Sequence, residues 1–183
     1  VLRRAARDYP ERLALVTESA RWTFRELDER ADLYARGIIA AGLGKGDRAA
    51  LWATNIAEWV LLEFALARAG VVLVTVNTAF KAAEVEYLLR QSEANALFFG
   101  RGFRDVSYPE VVASLPPLPE LRRRFFFSPE APSGSAPFHE LGQLAARVPQ
   151  VLIQTRIREH RQAAASFQIA MNELLRAIDF GFT

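Results

Sequence analysis

The sequence contains no cysteine, which excludes disulfide bridges, thiolate metal sites and cysteine nucleophiles from its own chemistry. Histidine is nearly as scarce. The two present, His139 and His160, lie in unrelated segments without carboxylates at metal-ligand spacing, so a metal centre has no support. Lysine occurs only as Lys45 and Lys81, and the other basic residues are arginines interleaved with Asp and Glu. Nucleic-acid binders gather basic side chains on one face or stripe; interleaving and a net charge of only +2 argue against such a partner. Long apolar runs are missing too. Stretches such as Val71 to Val76 fall far short of the ~20 residues that cross a bilayer, and the N-terminus carries charges where a secretory signal has its apolar run. The expectation is a cytoplasmic chain with no membrane span, whose start at Val1 leaves room for preceding residues.

What is present is the balance of a globular protein: 51% hydrophobic and 24% charged residues in a chain of 183, enough to bury a sizeable core. Leu13 to Thr17 and Arg21 to Phe24 read as a hairpin across a turn at Glu18 to Ala20. Thr23 stands three residues before Glu26, the spacing of a capping box, and Leu27, Ala31, Tyr34, Ala35 and Ile38 continue a helical stripe up to Gly42. Asp47 to Ala53 is apolar without alternation, as in a strand buried on both faces of a parallel sheet. Asn55 is expected to cap a helix over Ile56 to Ala69 that stops at Gly70. Val71 to Val76 reads as a second buried strand, Ala82 to Gln91 as a helix, and Ala94 to Phe99 as a third strand. Three strand–helix alternations imply right-handed crossovers and an α/β fold with a mostly parallel sheet layered with helices.

Beyond Gly100, seven prolines from Pro109 to Pro137 break the pattern, leaving Arg123 to Ser128 as a further strand and Phe138 to Ala146 as a short helix. After Pro149 the character changes. Ile157, Ala164, Phe167, Met171, Leu174 and Ile178 mark one stripe of an added C-terminal amphipathic helix. The expected organisation is therefore a domain over 1–149 and a separate helical segment over 151–183.

Several patterns invite a chemical reading, and each has a plainer one. Gly42, Gly44 and Gly46 imitate a phosphate-cradling loop, but such loops join a strand to a helix, whereas this run joins a helix to a strand. A helix C-terminus at Gly42 and a turn at Gly46-Asp47 explain it better. Ser133 and Ser135 sit in a Pro/Gly-rich loop outside any nucleophile elbow. Asp28 with Glu29, and Glu84 with Glu86, diverge on helices rather than converging on a substrate, and read as solvated faces. Arg122, Arg123 and Arg124 before Phe125 to Phe127 could be a basic patch beside stacking aromatics, but the entry to a covered strand accounts for them equally simply.

Taken together, the first half carries a set of ordered signatures. Trp22-Thr23-Phe24-Arg25-Glu26-Leu27 resembles the first motif of the adenylate-forming enzymes. Gly42-Leu43-Gly44-Lys45-Gly46-Asp47-Arg48 resembles their Gly-x-x-x-Gly-Asp-Arg turn, and Asn55-Ile56-Ala57-Glu58-Trp59 their Asn-x-x-Glu-Trp helix start. Ala65 to Gly70, running on to Val74-Thr75-Val76-Asn77, is similar to the second motif, and Ala83 to Leu89 with Gln91-Ser92 to the helix after it. The resemblance is dense from Tyr9 to Phe99 and continues loosely to Ala146. Thr75, where many relatives have proline, is closest to the medium-chain fatty acyl-CoA synthetases. Thr78 departs from the family in following Asn77 where proline is usual.

The resemblance implies a fatty acid activated with ATP and Mg²⁺ to an acyl-adenylate, then transferred to coenzyme A. The family's Thr/Ser/Gly-rich phosphate loop with its lysine, needed to neutralise the triphosphate, would follow Pro149; no such run occurs in this sequence, nor do the later nucleotide motifs. No catalytic, cofactor-binding or metal-ligating residue is therefore assigned, and the chain alone is expected to bind neither ATP, Mg²⁺ nor CoA. Two kinds of partner remain open, the remainder of a ligase and further copies of the chain. A truncated or frame-shifted gene and a split enzyme are the alternatives for its origin.

Overall fold

The computed structural model describes residues 1–153. Their elements run α1 (Leu2–Asp8), β1 (Leu13–Val16), β2 (Arg21–Thr23), α2 (Phe24–Ala40), β3 (Arg48–Trp52), α3 (Ala57–Ala69), β4 (Val72–Thr75), α4 (Ala82–Gln91) and β5 (Ala96–Phe99). A small hairpin β6 (Gly102–Phe103) and β7 (Val106–Ser107) follows, then α5 (Tyr108–Ser114), β8 (Arg123–Phe126), β9 (Ala136–Pro137) and α6 (Glu140–Leu144). The stripe predicted over Ile157 to Ile178 lies outside the described residues, as does His160.

Five strands form one sheet in the order β4-β3-β5-β8-β9, and every adjacent pair is parallel. The period-2 alternation of a strand sends neighbouring side chains to opposite faces, and the two cores divide accordingly. Ala49, Leu51, Ala96, Phe98 and Phe125 enter the layer beneath α2, α3 and α6. Ala50, Trp52, Leu97, Phe99 and Phe126 enter the layer that includes Val85 and Leu89 of α4 and Val112 of α5. This is the two-sided burial expected from unalternating apolar runs, and it holds for β3 and β5. It fails for β4, which lies at the sheet edge: Val72 is 52% exposed and only Val71 and Val76 flanking the strand are buried. An apolar β-branched run looks the same at an edge as at a centre, because sequence does not record what lies beside it.

The helix ends follow local chemistry. Thr23 Oγ1 accepts the Glu26 amide at 3.2 Å and the Glu26 carboxylate accepts the Thr23 amide at 2.8 Å, so the capping box opens α2 as expected. Gly70 closes α3 in the left-handed region at φ 80°, where glycine avoids the Cβ penalty. Asn55 does not cap α3. The cap position is Ile56, without a side-chain hydrogen bond, and Asn55 is exposed.

The helices are fixed by contacts that no local pattern reveals. Arg68, buried on α3, donates to Asp28 Oδ1 at 2.5 Å, Asp32 Oδ1 at 2.6 Å and the Asp28 carbonyl at 2.6 Å on α2, and Arg3 of α1 also pairs with Asp32. Asp28 is thus an ion-pair partner holding α3 and α1 to α2, not part of a solvated face; the pattern on α2 alone could not show a partner 40 residues away. Gly37 lets α6 approach α2, since a Cβ there would stand 1.9 Å from the Leu141 carbonyl oxygen.

Candidate functional site at the carboxyl edge of the sheet

Chain order and space order disagree at one place in the sheet. From β3 the chain steps outward to β4, then returns past β3 to β5. In open parallel sheets such a reversal leaves a crevice at the carboxyl ends of the strands, the usual position of a ligand site. Here the ends are tied together: Gly100 donates its amide to the Trp52 carbonyl at 3.0 Å and Phe127 its amide to that of Phe99 at 3.0 Å. Arg101, just past β5, donates to Ser128 Oγ just past β8 at 3.3 Å.

The loop after β4 is held to the same edge by an aromatic pair. Trp52 stacks on Tyr108 with centroids 3.8 Å apart. The indole N–H donates to the Asn77 carbonyl at 3.0 Å and the Tyr108 hydroxyl to that of Thr78 at 2.9 Å. Burial pushes the Tyr108 phenol above its ordinary value, so it stays a donor across the physiological range. Asn77 Oδ1 accepts the Ala79 amide and its carbonyl accepts the Phe80 amide, which makes Asn77 to Phe80 a turn with an Asx cap.

Beside these strand ends, on the α2–α3 face, lies a cavity of about 300 Å³ whose lining includes Trp22, Arg30, Tyr34, Glu58, Phe138 and His139. Its walls are aromatic: Tyr34 stacks on Phe138 at 4.6 Å, and the Arg30 guanidinium lies 5.0 Å over the Trp22 ring. The Tyr34 hydroxyl is pushed up chiefly by burial and further by the negative charge of Glu58, with Arg30 acting the other way. The cavity has the makings of a pocket for a small, partly apolar group with a polar end.

These four polar residues come from α2, the first turn of α3 and the start of α6, so no stretch of sequence shows them together. Tyr34 reads as part of the α2 stripe, Glu58 as part of a family signature, and His139 as a lone histidine. The remaining candidates disperse. The glycine run lies at the opposite, amino edge, before β3. Its amides are occupied: Gly44 donates to Asp47 Oδ2 at 2.8 Å and Gly46 to the Gly70 carbonyl at 3.1 Å. A triphosphate therefore does not fit this turn. Arg122 pairs with Asp47 at 2.6 Å and Arg123 donates to the Ala41 carbonyl at the end of α2 at 2.8 Å, which accounts for two of the three arginines without nucleic acid. Glu84 accepts the Lys81 amide and Glu86 pairs with Arg90 on α4. Among the described residues no three His, Asp or Glu side chains form a group that could hold a metal ion, and no helix is long and apolar enough to cross a membrane.

Comparison with known proteins places this geometry. Residues 2–157 match the family described as AMP-binding enzyme. The human medium-chain acyl-CoA ligase ACSF2, mitochondrial, is 42% identical over 118 residues, covering 63% of this chain and 19% of that protein. YngI of Bacillus subtilis (strain 168), an acyl-CoA synthetase by provisional name, is 44% identical over 124 residues, or 67% of this chain and 22% of that one. The solved fatty acyl CoA synthetase of Mycobacterium tuberculosis superposes on 68% of this chain and 25% of its own, with a TM-score of 0.62 at 29% identity. The chain spans about a fifth of the length of the curated relatives it matches.

Proposed function

The chain belongs to the AMP-binding enzyme family, and on that premise we propose that it is the N-terminal portion of an ATP-dependent fatty acid–CoA ligase. The whole protein's reaction, fatty acid, ATP and coenzyme A giving acyl-CoA, AMP and pyrophosphate, needs groups that neutralise the triphosphate as charge develops. The glycine turn does not supply them, because the Gly44 and Gly46 amides donate to Asp47 Oδ2 and the Gly70 carbonyl, and Arg122 is paired to Asp47. No chemical step is assigned to these residues, and the chain alone is inert.

Its contribution is a scaffold. The observation that carries the reading is the coincidence of five ordered family signatures with the elements they imply, from the capping box at Thr23 to the Asn77 turn and α4. The Trp52–Tyr108 stack and the tied strand ends give one wall of the sheet's carboxyl edge a fixed shape. Such preorganisation is what a site completed by other segments requires. Medium-chain fatty acids are the substrate class, on the wording of Val74 to Asn77 and the likeness to the medium-chain ligase. A cytoplasmic location belongs to the same proposal.

A second reading is a non-catalytic module or split-enzyme subunit that pairs with the rest of a ligase. The edge of β4, which no described strand pairs, favours it, because open edges and apolar patches mark partner sites. A chimera separates success from failure. Residues 1–149 replace the matching segment of the human medium-chain ligase, and acyl-CoA formation is measured. Retained activity supports the scaffold reading, whereas a folded but inactive chimera counts against it.

A further inference from the structure

Past α6 the chain makes a tight turn on its way out of the described residues, and α2 holds this stretch at successive points. Tyr34 stacks on Phe138, just before α6. Gly37 has no Cβ where one would stand 1.9 Å from the Leu141 carbonyl oxygen. Arg36 donates through Nη1 to the Ala145 and Val148 carbonyls, each at 3.4 Å. Val148 in turn donates its amide to the Ala145 carbonyl at 3.1 Å, so the guanidinium grips both ends of the turn that closes before Pro149. A helical turn opens at Gln150, which lines one cavity with Arg36, and Ile153 is fully buried in the core layer of α2 and α3.

Stability does not explain Arg36. Its two hydrogen bonds are longer than is usual, and its Nε is buried without a partner among the described residues, a cost comparable with what such bonds contribute. What the arrangement provides is placement. One nitrogen reaches both carbonyls only while the turn keeps its seat against α2, and a displaced turn loses both bonds at once.

We infer that Arg36 is a positioning residue that sets where the chain leaves this domain, and with it the placement of the residues that follow. The inference rests on the ligase reading, in which no chemical step belongs to the described residues and the groups that neutralise the triphosphate are carried by the rest of the protein. A misplacement of about 1 Å, even far from the chemistry, costs on the order of 10²-fold in rate. Only one half-reaction uses those groups: fatty acid and ATP giving acyl-adenylate and pyrophosphate. The other, acyl-adenylate and coenzyme A giving acyl-CoA and AMP, handles no triphosphate. A loss confined to the first half distinguishes placement from general damage, which lowers both.

Arg36→Met keeps the aliphatic stem and removes the donors. In the full 183-residue chain it is expected to speed amide hydrogen exchange at Val148 and Leu152 several-fold, with β3, α3 and the thermal midpoint unchanged. Unaltered exchange at both amides overturns the clamp. In the chimera described above, R36M is expected to lower ATP–pyrophosphate exchange about tenfold or more and to leave acyl transfer from supplied acyl-adenylate to coenzyme A at the parent rate. R36K, which keeps a donor for the same carbonyls, is expected to fall between parent and R36M. An equal fall in both half-reactions, a fall in neither, or an R36K value no higher than that of R36M overturns the positioning role. An inactive parent chimera refutes the ligase reading and with it a role for Arg36 in that reaction, whereas hydrogen exchange in the full chain still decides the clamp.

Discussion

Replacing Arg68 by alanine should destabilise the domain by about 3 kcal/mol, the low end of the cost of breaking a buried ion pair from one side. The Arg68 side chain is 8% exposed and satisfies two carboxylates and a carbonyl on α2. Its removal strands Asp28 and Asp32, neither of which can leave the α2–α3 interface. The cost stays at the low end because Arg3 remains within reach of both carboxylates. For a domain of this size about 3 kcal/mol corresponds to a fall in Tm of roughly 6–12 °C. Urea unfolding followed by tryptophan fluorescence reads it directly. A triple variant, Arg68→Met with Asp28→Asn and Asp32→Asn, should recover most of the loss, since replacing a whole buried ion cluster costs far less than orphaning part of it. A loss below about 1 kcal/mol for Arg68→Ala, the value of an exposed pair, would refute the argument that this cluster clamps α3 to α2.

Three further outcomes follow from local geometry. Gly37→Ala drives a methyl group into the Leu141 carbonyl and should cost at least about 3 kcal/mol, the upper end of overpacking, in the same urea titration; an unchanged midpoint would mean that α6 is not seated there. Thr23→Ala should cost about 1 kcal/mol by loss of the cap. Its partner Glu26 is held below the usual carboxylate range by the Thr23 amide, so its contribution is full above the unfolded value near 4.3 and fades as pH falls through the lower folded value. Glu26→Gln should therefore flatten the acid limb of a stability–pH curve, and an unaltered limb would contradict the linkage. Thr78→Pro places proline at the second position of the Asn77 turn, where it is favoured, and keeps the carbonyl that Tyr108 uses; a gain of up to about 1 kcal/mol is expected, and a clear loss would show that the turn has another geometry.

The elements legible in the sequence were those whose cause is local. The Thr23–Glu26 box, the Gly70 stop and the unalternating runs of β3 and β5 all depend on residues close in the chain, and α4 falls on Ala82–Gln91 as read. The short α1 and α5, at 7 residues each, have too few turns to show a period. The strands β6, β7 and β9, at two residues each, depend on their partners, whereas β8 (Arg123–Phe126) falls within the run read as a strand. The same limit governs function. Family membership is written in contiguous signatures, whereas the cavity of Arg30, Tyr34, Glu58 and His139 joins side chains from three helices. Asp28 and Glu84 show the ambiguity from the other side, since carboxylates that look alike on a helical pattern become a buried clamp and an exposed cap.

Whether the chain is a family scaffold without phosphate chemistry is decided by ATP–pyrophosphate exchange. The purified 183-residue chain is assayed over short, medium and long fatty acids, alone and with lysate of the source cells. No exchange by the chain alone is expected at any chain length. Activity above that of lysate by itself would assign the chain to a split enzyme and keep the scaffold reading. Exchange by the chain alone would contradict the scaffold reading and require a phosphate site within these residues.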